Sequence, residues 1–314
     1  YLMLHLLKIT NRFIFNPKIR FSYLSRLGLF NCWSDEKYIQ REYRLNMGKK
    51  LNLVNPKTFN EKIQWLKLYD RKPEYTIMVD KLAAKEYVSN LIGQEYIVPL
   101  LGVWNSPDEI DFTSLPKQFV LKTTHDSGGI VICRDKSTFD VVEAKKVLAK
   151  SLHRDYYLLH REWPYKNVPR RIIAEKYLED KEGGSLGLRD YKFFNFGGKA
   201  KFVYISEGLE NHTTAKMSFF DLNGKKLSFK RSDYMPLDDE CVISTNFKRI
   251  KAVSDKLAEK LGLSFVRTDF FCVNGKIYFS EITFSPCAGM MPFEPKTFDL
   301  EIGKLLKLPI PYNS

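Results

Sequence analysis

Hydrophobic spacing divides the chain into a helical first part and a mixed remainder. Residues 1–75 read mostly as helix. DEKYIQREYRLNMGKKL combines helix formers with salt-bridge spacing, and NPKTFNEKIQWLKLYD repeats apolar residues three and four apart. In the second stretch Thr58 is placed as an N-cap with Glu61 three residues on, the spacing of a capping box. MVDKLAAKEYVSNLIG predicts a short amphipathic helix starting near Asp80 and stopping at Gly93. Strand-like runs then alternate with helices. FVLKTT and GIVIC form a strand pair, residues 137–152 a helix and RIIAEKYL a strand. Three hairpins follow. YKFFNFGGKAKFVYIS turns at Gly197-Gly198, SFFDLNGKKLSF at Asn223-Gly224, and SFVRTDFFCVNGKIYFSEIT near Asn274-Gly275. Between the last two, NFKRIKAVSDKLAEKLG reads as a helix ending at Gly262. Hairpins with interspersed helices predict an α+β fold with largely antiparallel sheets, not a doubly wound parallel one. The sequence has no internal repeat and no low-complexity linker.

Composition narrows the partners. The 314 residues suffice for one or two domains, and 44% hydrophobic with 28% charged residues is ordinary for a globular protein. The net charge of +13 favours polyanions: nucleic acid, nucleotides, anionic lipid or acidic glycans. No nucleic-acid motif appears and the lysines are dispersed, so a nucleic-acid partner is not expected. The five cysteines are odd in number with no CxxC pair, which argues against a disulfide framework or a zinc site and for a reducing cytoplasm. The early run YLMLHLL is too short to span a bilayer. The basic, Leu- and Phe-rich segment YLMLHLLKITNRFIFNPKIRFSYLSRLGLF has two readings: it lies on an anionic membrane surface, or it packs as a helix on its own domain.

LHRDYYLLH contains a kinase-like His153-Arg154-Asp155. His160 stands where a kinase has asparagine, Asp269 lies far too late for a DFG aspartate, and no GxGxxG precedes Lys122. The kinase reading therefore fails.

The chemistry concentrates in the last hairpin. Residues two apart on a strand share a face, so Arg267 points with Asp269, and Glu281 with Thr283. Whether the two pairs meet depends on the turn. A two-residue Asn274-Gly275 turn puts Asp269 and Glu281 on opposite faces; a three-residue loop with Gly275 left-handed puts them on one. If they meet, two carboxylates beside an arginine suit Mg²⁺ with substrate phosphates; if not, the hairpin is a solvated element with a cross-strand ion pair. Elsewhere, Lys122 ends a strand before Gly128-Gly129, and Lys81 and Lys85 lie four apart on a helix. This is no P-loop, in which the lysine follows the glycines and opens a helix.

In this order the stretches resemble the ATP-grasp superfamily. MVDKLAAK, LKTTHDSGG, AEKYL and RTDFF…FSEITFSPCAG are similar to the D-alanine–D-alanine ligase branch, from about residue 78 to 293. NPKTFNEKIQWLKLYD followed by DKLAAKEYV resembles the TupA-like branch, which is associated with bacterial teichuronopeptide, capsule and other surface-polysaccharide synthesis.

The resemblance implies an ATP-grasp fold, two α+β subdomains clamping ATP behind a mainly helical N-terminal region. The expected divisions are 1–75, 76–180 with the phosphate flap and hinge, and 181–314 with the metal site. Lys81 and Lys122 would contact phosphates under a mobile flap, Thr123–Gly129, that includes Ser127, Gly128 and Gly129. Glu175, Lys176, Tyr177 and Leu178 would be the adenine hinge. Glu182 would bond the ribose, with Glu179 or Asp180 as alternatives, and Lys192 is a further phosphate candidate. Asp269 and Glu281 would hold Mg²⁺, with Thr283 where asparagine is usual, and Arg267 would stabilise the acyl phosphate and tetrahedral intermediate. Ser285-Pro286-Cys287-Ala288-Gly289, with its glycine displaced, would face the second substrate. Residues 1–75 lack the βαβ alternation of the Rossmann-like domain common in the superfamily. The implied activity is ATP- and Mg²⁺-dependent carboxylate–amine ligation. It would join an acidic sugar of a surface polysaccharide, or its precursor, to an amino acid or amine, in the cytoplasm and at the inner membrane face. A glycosyltransferase or a non-catalytic nucleotide-binding protein of the same pathway is the alternative; the Asp-x-Asp triplet common in glycosyltransferases does not occur.

Overall fold

The computed structural model describes residues 15–180, 187–209, 213–238 and 245–309. Five helices come first: α1 (Pro17–Arg26), α2 (Asp35–Met47), α3 (Phe59–Tyr69), α4 (Glu74–Val79) and α5 (Ala83–Ile92). Their ends follow from local chemistry. Asn16 and Ser34 accept first-turn N–H groups, Gly48 ends α2 in the left-handed region, and Thr58 with Glu61 forms the expected capping box. The helix expected to start near Asp80 begins at Ala83 as α5 and stops at Gly93, and the Asp80 carboxylate accepts the N–H of Leu82 in the turn that separates it from α4.

A four-stranded antiparallel sheet follows. It contains β1 (Leu100–Trp104), β2 (Phe119–Thr123), β3 (Ile130–Cys133) and, after α6 (Val141–Leu152) and α7 (Tyr156–His160), β4 (Ile172–Lys176), in the order β1-β4-β2-β3. One face buries Phe119, Leu121, Leu148 and Ala174. Alternation therefore sends Lys122 and Glu175 to the other face.

The larger sheet has β5 (Asp190–Phe196), β6 (Lys199–Glu207) and β7 (Lys216–Phe220), then, past the short β8 (Lys230–Arg231) and α8 (Phe247–Leu261), β9 (Phe265–Val273) and β10 (Lys276–Thr283), in the order β10-β9-β5-β6-β7. β11 (Phe293–Glu294) pairs with β8, and α9 (Phe298–Leu305) closes the described chain. The turn at Asn223-Gly224 forms, but its returning limb makes only the bridge Phe220–Lys226.

The larger sheet is covered on both faces. On one, Tyr191, Phe193 and Phe270 pack under α8 and α5 through Val88, Ile92, Ile250 and Leu257. On the other, Phe194, Phe196, Phe219 and Phe265 meet Phe59 and Ile63 of α3 and Ile302 of α9. The core thus crosses the divisions expected at 75 and 180: α3 and α5 both bury their apolar stripes against the larger sheet. Phe59 is fully buried, with its ring edge-on to Phe265 at 5.0 Å, a position where truncation to alanine costs about 3–5 kcal/mol. α3 and α9 also satisfy each other's ends. Lys62 donates to the Gly303 and Leu306 carbonyls at 2.7 and 2.6 Å, and Asp299 accepts the Asn60 N–H at 2.9 Å.

Candidate functional site

The two carboxylates of the last hairpin do meet, by a route other than the three-residue loop. Val273 pairs with Lys276, so the turn is the two-residue Asn274-Gly275, both with positive φ. A β-bulge between Phe279 and Glu281 then shifts the register by one and sets Glu281 opposite Asp269 and Thr283 opposite Arg267. On the neighbouring strand Lys192 lies opposite Asp269. The far half of this face is the aromatic core around Phe194 and Phe265; the near half is polar.

Asp269 is fully buried and fully engaged. Arg267 holds it in a fork, Nε to Oδ1 at 2.8 Å and a terminal nitrogen to Oδ2 at 2.6 Å, and Lys192 Nζ lies 2.9 Å from Oδ2. Burial opposes its charge, but Arg267 and Lys192 prevail and hold the carboxyl below its usual range. Lys192 also pairs with Asp190, so the ammonium expected at phosphate is committed beneath Asp269. Burial pushes Asp190 up to about 6, and its Oδ1 has no hydrogen-bond partner among the described residues. The cations of Arg267 and Lys192 lie 5.7 and 5.9 Å from the Tyr204 ring, an additional favourable contact. Glu281 accepts from Arg267 at 2.8 Å and from Thr283 at 3.4 Å, and 41% of its side chain remains exposed.

Two carboxylates and a hydroxyl on one face suit a Mg²⁺ that completes its shell with phosphates and water. Among the described residues no group of three His, Cys, Asp or Glu could hold a metal alone.

A second cluster gathers Lys122 of the smaller sheet, Lys85 of α5 and Lys81 just before α5. Glu175 binds Lys85 and Lys122, each at 2.6 Å. Burial would raise Glu175, but the two ammonium groups hold it at about 2. The carboxylate of Glu175, a residue expected at the hinge, is thus committed to two lysines. Lys81 donates to the backbone carbonyls of Thr123 (3.1 Å) and Asp126. Burial lowers its proton affinity, against Asp126 and Glu281.

The expected flap, Thr123–Gly129, is a seated turn. Thr124, His125 and Asp126 are buried, and the Asp126 carboxylate accepts from Thr123 and Ser151; only Ser127 and Gly128 are exposed. The two glycines have different reasons. Gly128 takes φ +107, while a Cβ on Gly129 would fall 2.0 Å from Thr123 Oγ1 and 2.2 Å from Ser151 Oγ. The kinase-like triplet is structural: Asp155 caps α7, and Arg154 lies 3.7 Å from Asp126.

Past Glu175, the Lys176 N–H bonds the Pro99 carbonyl and Tyr177 is half-buried. Leu178 joins an apolar patch with Val98, Leu188, Phe271, Val273 and Tyr278, a wall suited to a planar base. Asn274 bonds Glu179 and Asp180, tying the hinge tail to the last hairpin. Glu182 lies outside the described residues.

Ser127, Arg267, Glu281 and Thr283 open onto a cavity of about 1000 Å³ that also meets Cys287 and Ala288 of the expected second-substrate loop. That loop holds three successive left-handed residues, Cys287, Ala288 and Gly289. Gln64 donates to the Ala288 and Gly289 carbonyls at 2.9 Å each, and Lys67 to Ala288 at 3.1 Å. Here α3 does more than fill a core: its polar face fixes the cavity wall. Lys85, Tyr156, Glu162 and Tyr165 were not assigned from the sequence, and Asp126 was placed only as part of the expected flap. Lys85 had a local signal, its four-residue spacing from Lys81; Tyr156, Glu162 and Tyr165 reach the site through contacts distant in sequence.

The geometry can be set beside known proteins. Residues 61–307 match the TupA-like ATPgrasp family model. No curated protein matches the chain. Among solved structures, D-alanine–D-alanine ligase from Helicobacter pylori is 15% identical with a TM-score of 0.39, over 74% of this chain and 62% of that one. N5-carboxyaminoimidazole synthetase from Staphylococcus aureus is 16% identical with a TM-score of 0.34, over 66% and 44%. The ATP complex of D-alanine–D-alanine ligase from Bacillus anthracis is 14% identical with a TM-score of 0.38, over 66% and 55%. The chain thus spans less than two thirds of each of these proteins. The family match covers well over half of the present chain, which belongs to the TupA-like ATP-grasp family.

Proposed function

We propose that the protein is an ATP- and Mg²⁺-dependent carboxylate–amine ligase that works through an acyl phosphate. Its carboxylate substrate is an acidic sugar of a bacterial surface polysaccharide or a precursor, and its nucleophile an amino acid or amine. The observation that carries this is the meeting of Arg267, Asp269, Glu281 and Thr283 on one sheet face, with Arg267, Glu281 and Thr283 open to the cavity, together with Lys122 on the smaller sheet and Lys85 on α5 joined through Glu175, and Lys81 just ahead of α5. Lys122 and Lys85 exchange Glu175 for phosphate, and Lys81 fixes the turn that carries Ser127. Asp269, Glu281 and Thr283 would hold Mg²⁺, which when bound neutralises phosphate charge. Arg267 presents a guanidinium kept cationic by its carboxylate neighbours and stabilises the charge that develops on the acyl group. The net charge of +13 supports an anionic acceptor.

An outer stripe of exposed Phe15, Ile19, Tyr23 and Leu27, with Lys18 and Arg26 beside it, supports peripheral contact with anionic lipid at the inner membrane face. Equal sedimentation with neutral and anionic vesicles would remove that contact.

The ligase is tested by thermal shift and product analysis. ATP with Mg²⁺ should stabilise the fold, by about 2.7 kcal/mol at a hundredfold excess over Kd, and nucleotide sugars should not. Uronic acids with ATP and an amine should yield amide, ADP and phosphate. A stable phosphate ester without amide overturns the ligase; ATP binding without turnover favours a non-catalytic protein, and nucleotide-sugar binding a glycosyltransferase.

A further inference from the structure

Glu162 is a buried carboxylate that the ligase steps above leave without a task. It is 5% exposed and lines the cavity, and no hydrogen bond or ion pair to its carboxylate falls among the described residues. Its oxygens are not sealed in the interior but open to the cavity, where a ligand can satisfy them.

Its placement is enforced. α7 ends at Arg161, which takes left-handed φ 53 and ψ 38 although it is not glycine. Arg161 is held there from both sides. Its guanidinium donates to the Phe30 carbonyl at 2.8 Å, lies 3.8 Å from Asp35, and sits over the Tyr38 and Tyr157 rings at 4.6 and 5.6 Å. The chain then enters the turn Trp163–Tyr165, closed by the Tyr165 N–H on the Glu162 carbonyl at 3.1 Å. A strained residue locked by four contacts therefore precedes the free carboxylate.

The surroundings favour a cation with attached carbon. Tyr156 and Tyr165 also line the cavity, their rings edge-on at 4.8 Å, and ring faces attract ammonium groups. The charged groups that act on Glu162 come from four other positions: Lys67 on α3, His160 on α7, Glu42 on α2 and Glu281 on β10. Lys67 is already hydrogen-bonded to Gln64 and Ala288, and His160 to Glu42 at 2.6 Å. Neither spends its hydrogen bonds on Glu162.

We propose that Glu162 receives the ammonium of the amine substrate and takes the proton that frees its lone pair; this rests on the ligase function proposed above. The ammonium gives one proton to the carboxylate and becomes a neutral amine. Its nitrogen forms a bond to the acyl carbon, the bond from that carbon to the phosphate oxygen breaks, and phosphate leaves with the electron pair. The nitrogen's surplus proton passes to the departing phosphate. Burial raises the proton affinity of Glu162, with Lys67 and His160 opposing, which suits a proton acceptor.

The test compares two nucleophiles in Glu162→Gln. Hydroxylamine is already neutral at neutral pH and needs no base, whereas glycine and ethanolamine are ammonium ions. Hydroxamate formation from a uronic acid panel with ATP should be nearly unchanged. Amide formation should fall by about a hundredfold or more, and the acid limb of kcat/KM for the amine should move from the ionisation of Glu162 to that of the amine itself, so that the rate keeps climbing with pH. Glu162→Asp should regain part of the amide activity, and unfolding curves of both variants report the fold. Equal retention of both products overturns the role of Glu162. So does equal loss of both, since a wall residue would act on either nucleophile alike. Absence of hydroxamate from the wild type with every acid overturns the ligase itself.

Discussion

Glu175 lends itself to a quantitative test, because its side chain is 8% exposed and its charge is held by two lysines at 2.6 Å. In the folded chain its proton affinity falls from the ordinary 4.5 to about 2. That difference corresponds to about 3.4 kcal/mol of stability at neutral pH. A carboxylate depressed on folding contributes fully above about pH 4.5 and loses the contribution as the pH falls toward 2. At pH 3 about 1.4 kcal/mol of it remains. Burial works the other way on Lys85 and lowers its proton affinity, so the pair returns less than the glutamate term alone. Glu175→Gln is therefore expected to unfold about 2 kcal/mol more easily at pH 7, with the deficit more than halved at pH 3. Urea unfolding followed by tryptophan fluorescence at both pH values reads this directly. A deficit that stays the same at pH 3, or no deficit at pH 7, would refute the assignment of Lys85 and Lys122 as the partners that hold the charge.

The two metal-face carboxylates should separate in their effects. Asp269→Asn removes the buried carboxylate that Arg267 and Lys192 share and should cost about 3 kcal/mol in chemical unfolding, whereas Glu281→Gln, at a half-exposed side chain, should keep the melting temperature and lose Mg²⁺-dependent ATP turnover. Full activity in Glu281→Gln removes it from the metal face. The turn glycines should separate as well. Gly128→Ala meets no atom within 4 Å and should lose about 1 kcal/mol to backbone strain, while Gly129→Ala collides with Thr123 and Ser151 and should lose considerably more together with ATP affinity. Equal melting points for the two variants would contradict the packing of Asp126 beneath the turn.

Local chemistry was legible in the sequence, and long-range pairing was not. The Thr58–Glu61 box, the Asn274-Gly275 turn and the strand–turn–strand around Lys122 follow from residues a few positions apart. Period alone gave α5 an apolar stripe but not its partner, and Val88 and Ile92 went to the larger sheet. The bulge before Glu281 left no mark in the alternation, since Phe279, Ser280 and Glu281 read equally well in either register. Arg161 gave no warning of a left-handed conformation, because the contacts that impose it come from Phe30, Asp35 and Tyr38, more than a hundred residues earlier.

One regularity connects the readable and unreadable parts of the site. Without ligand, most of the charges that nucleotide would meet already have protein partners. Asp269 has Arg267 and Lys192, Glu175 has Lys85 and Lys122, and Lys81 has two carbonyls. Binding ATP is then an exchange of partners, with a free-energy change smaller than any single contact suggests but specific to a ligand that replaces several partners together. Two carboxylates stand outside this pairing to different degrees. Glu281 is held by one guanidinium and a hydroxyl yet half exposed, and Glu162 is buried with its oxygens unmet. Among the described residues these are two cavity-lining positions where the protein meets negative charge only in part, and under the proposed function one lies on the phosphate side and one on the acceptor side. The proposed ligase would need a cation at the first and an ammonium at the second, so the residual charge would distinguish the two halves of the site.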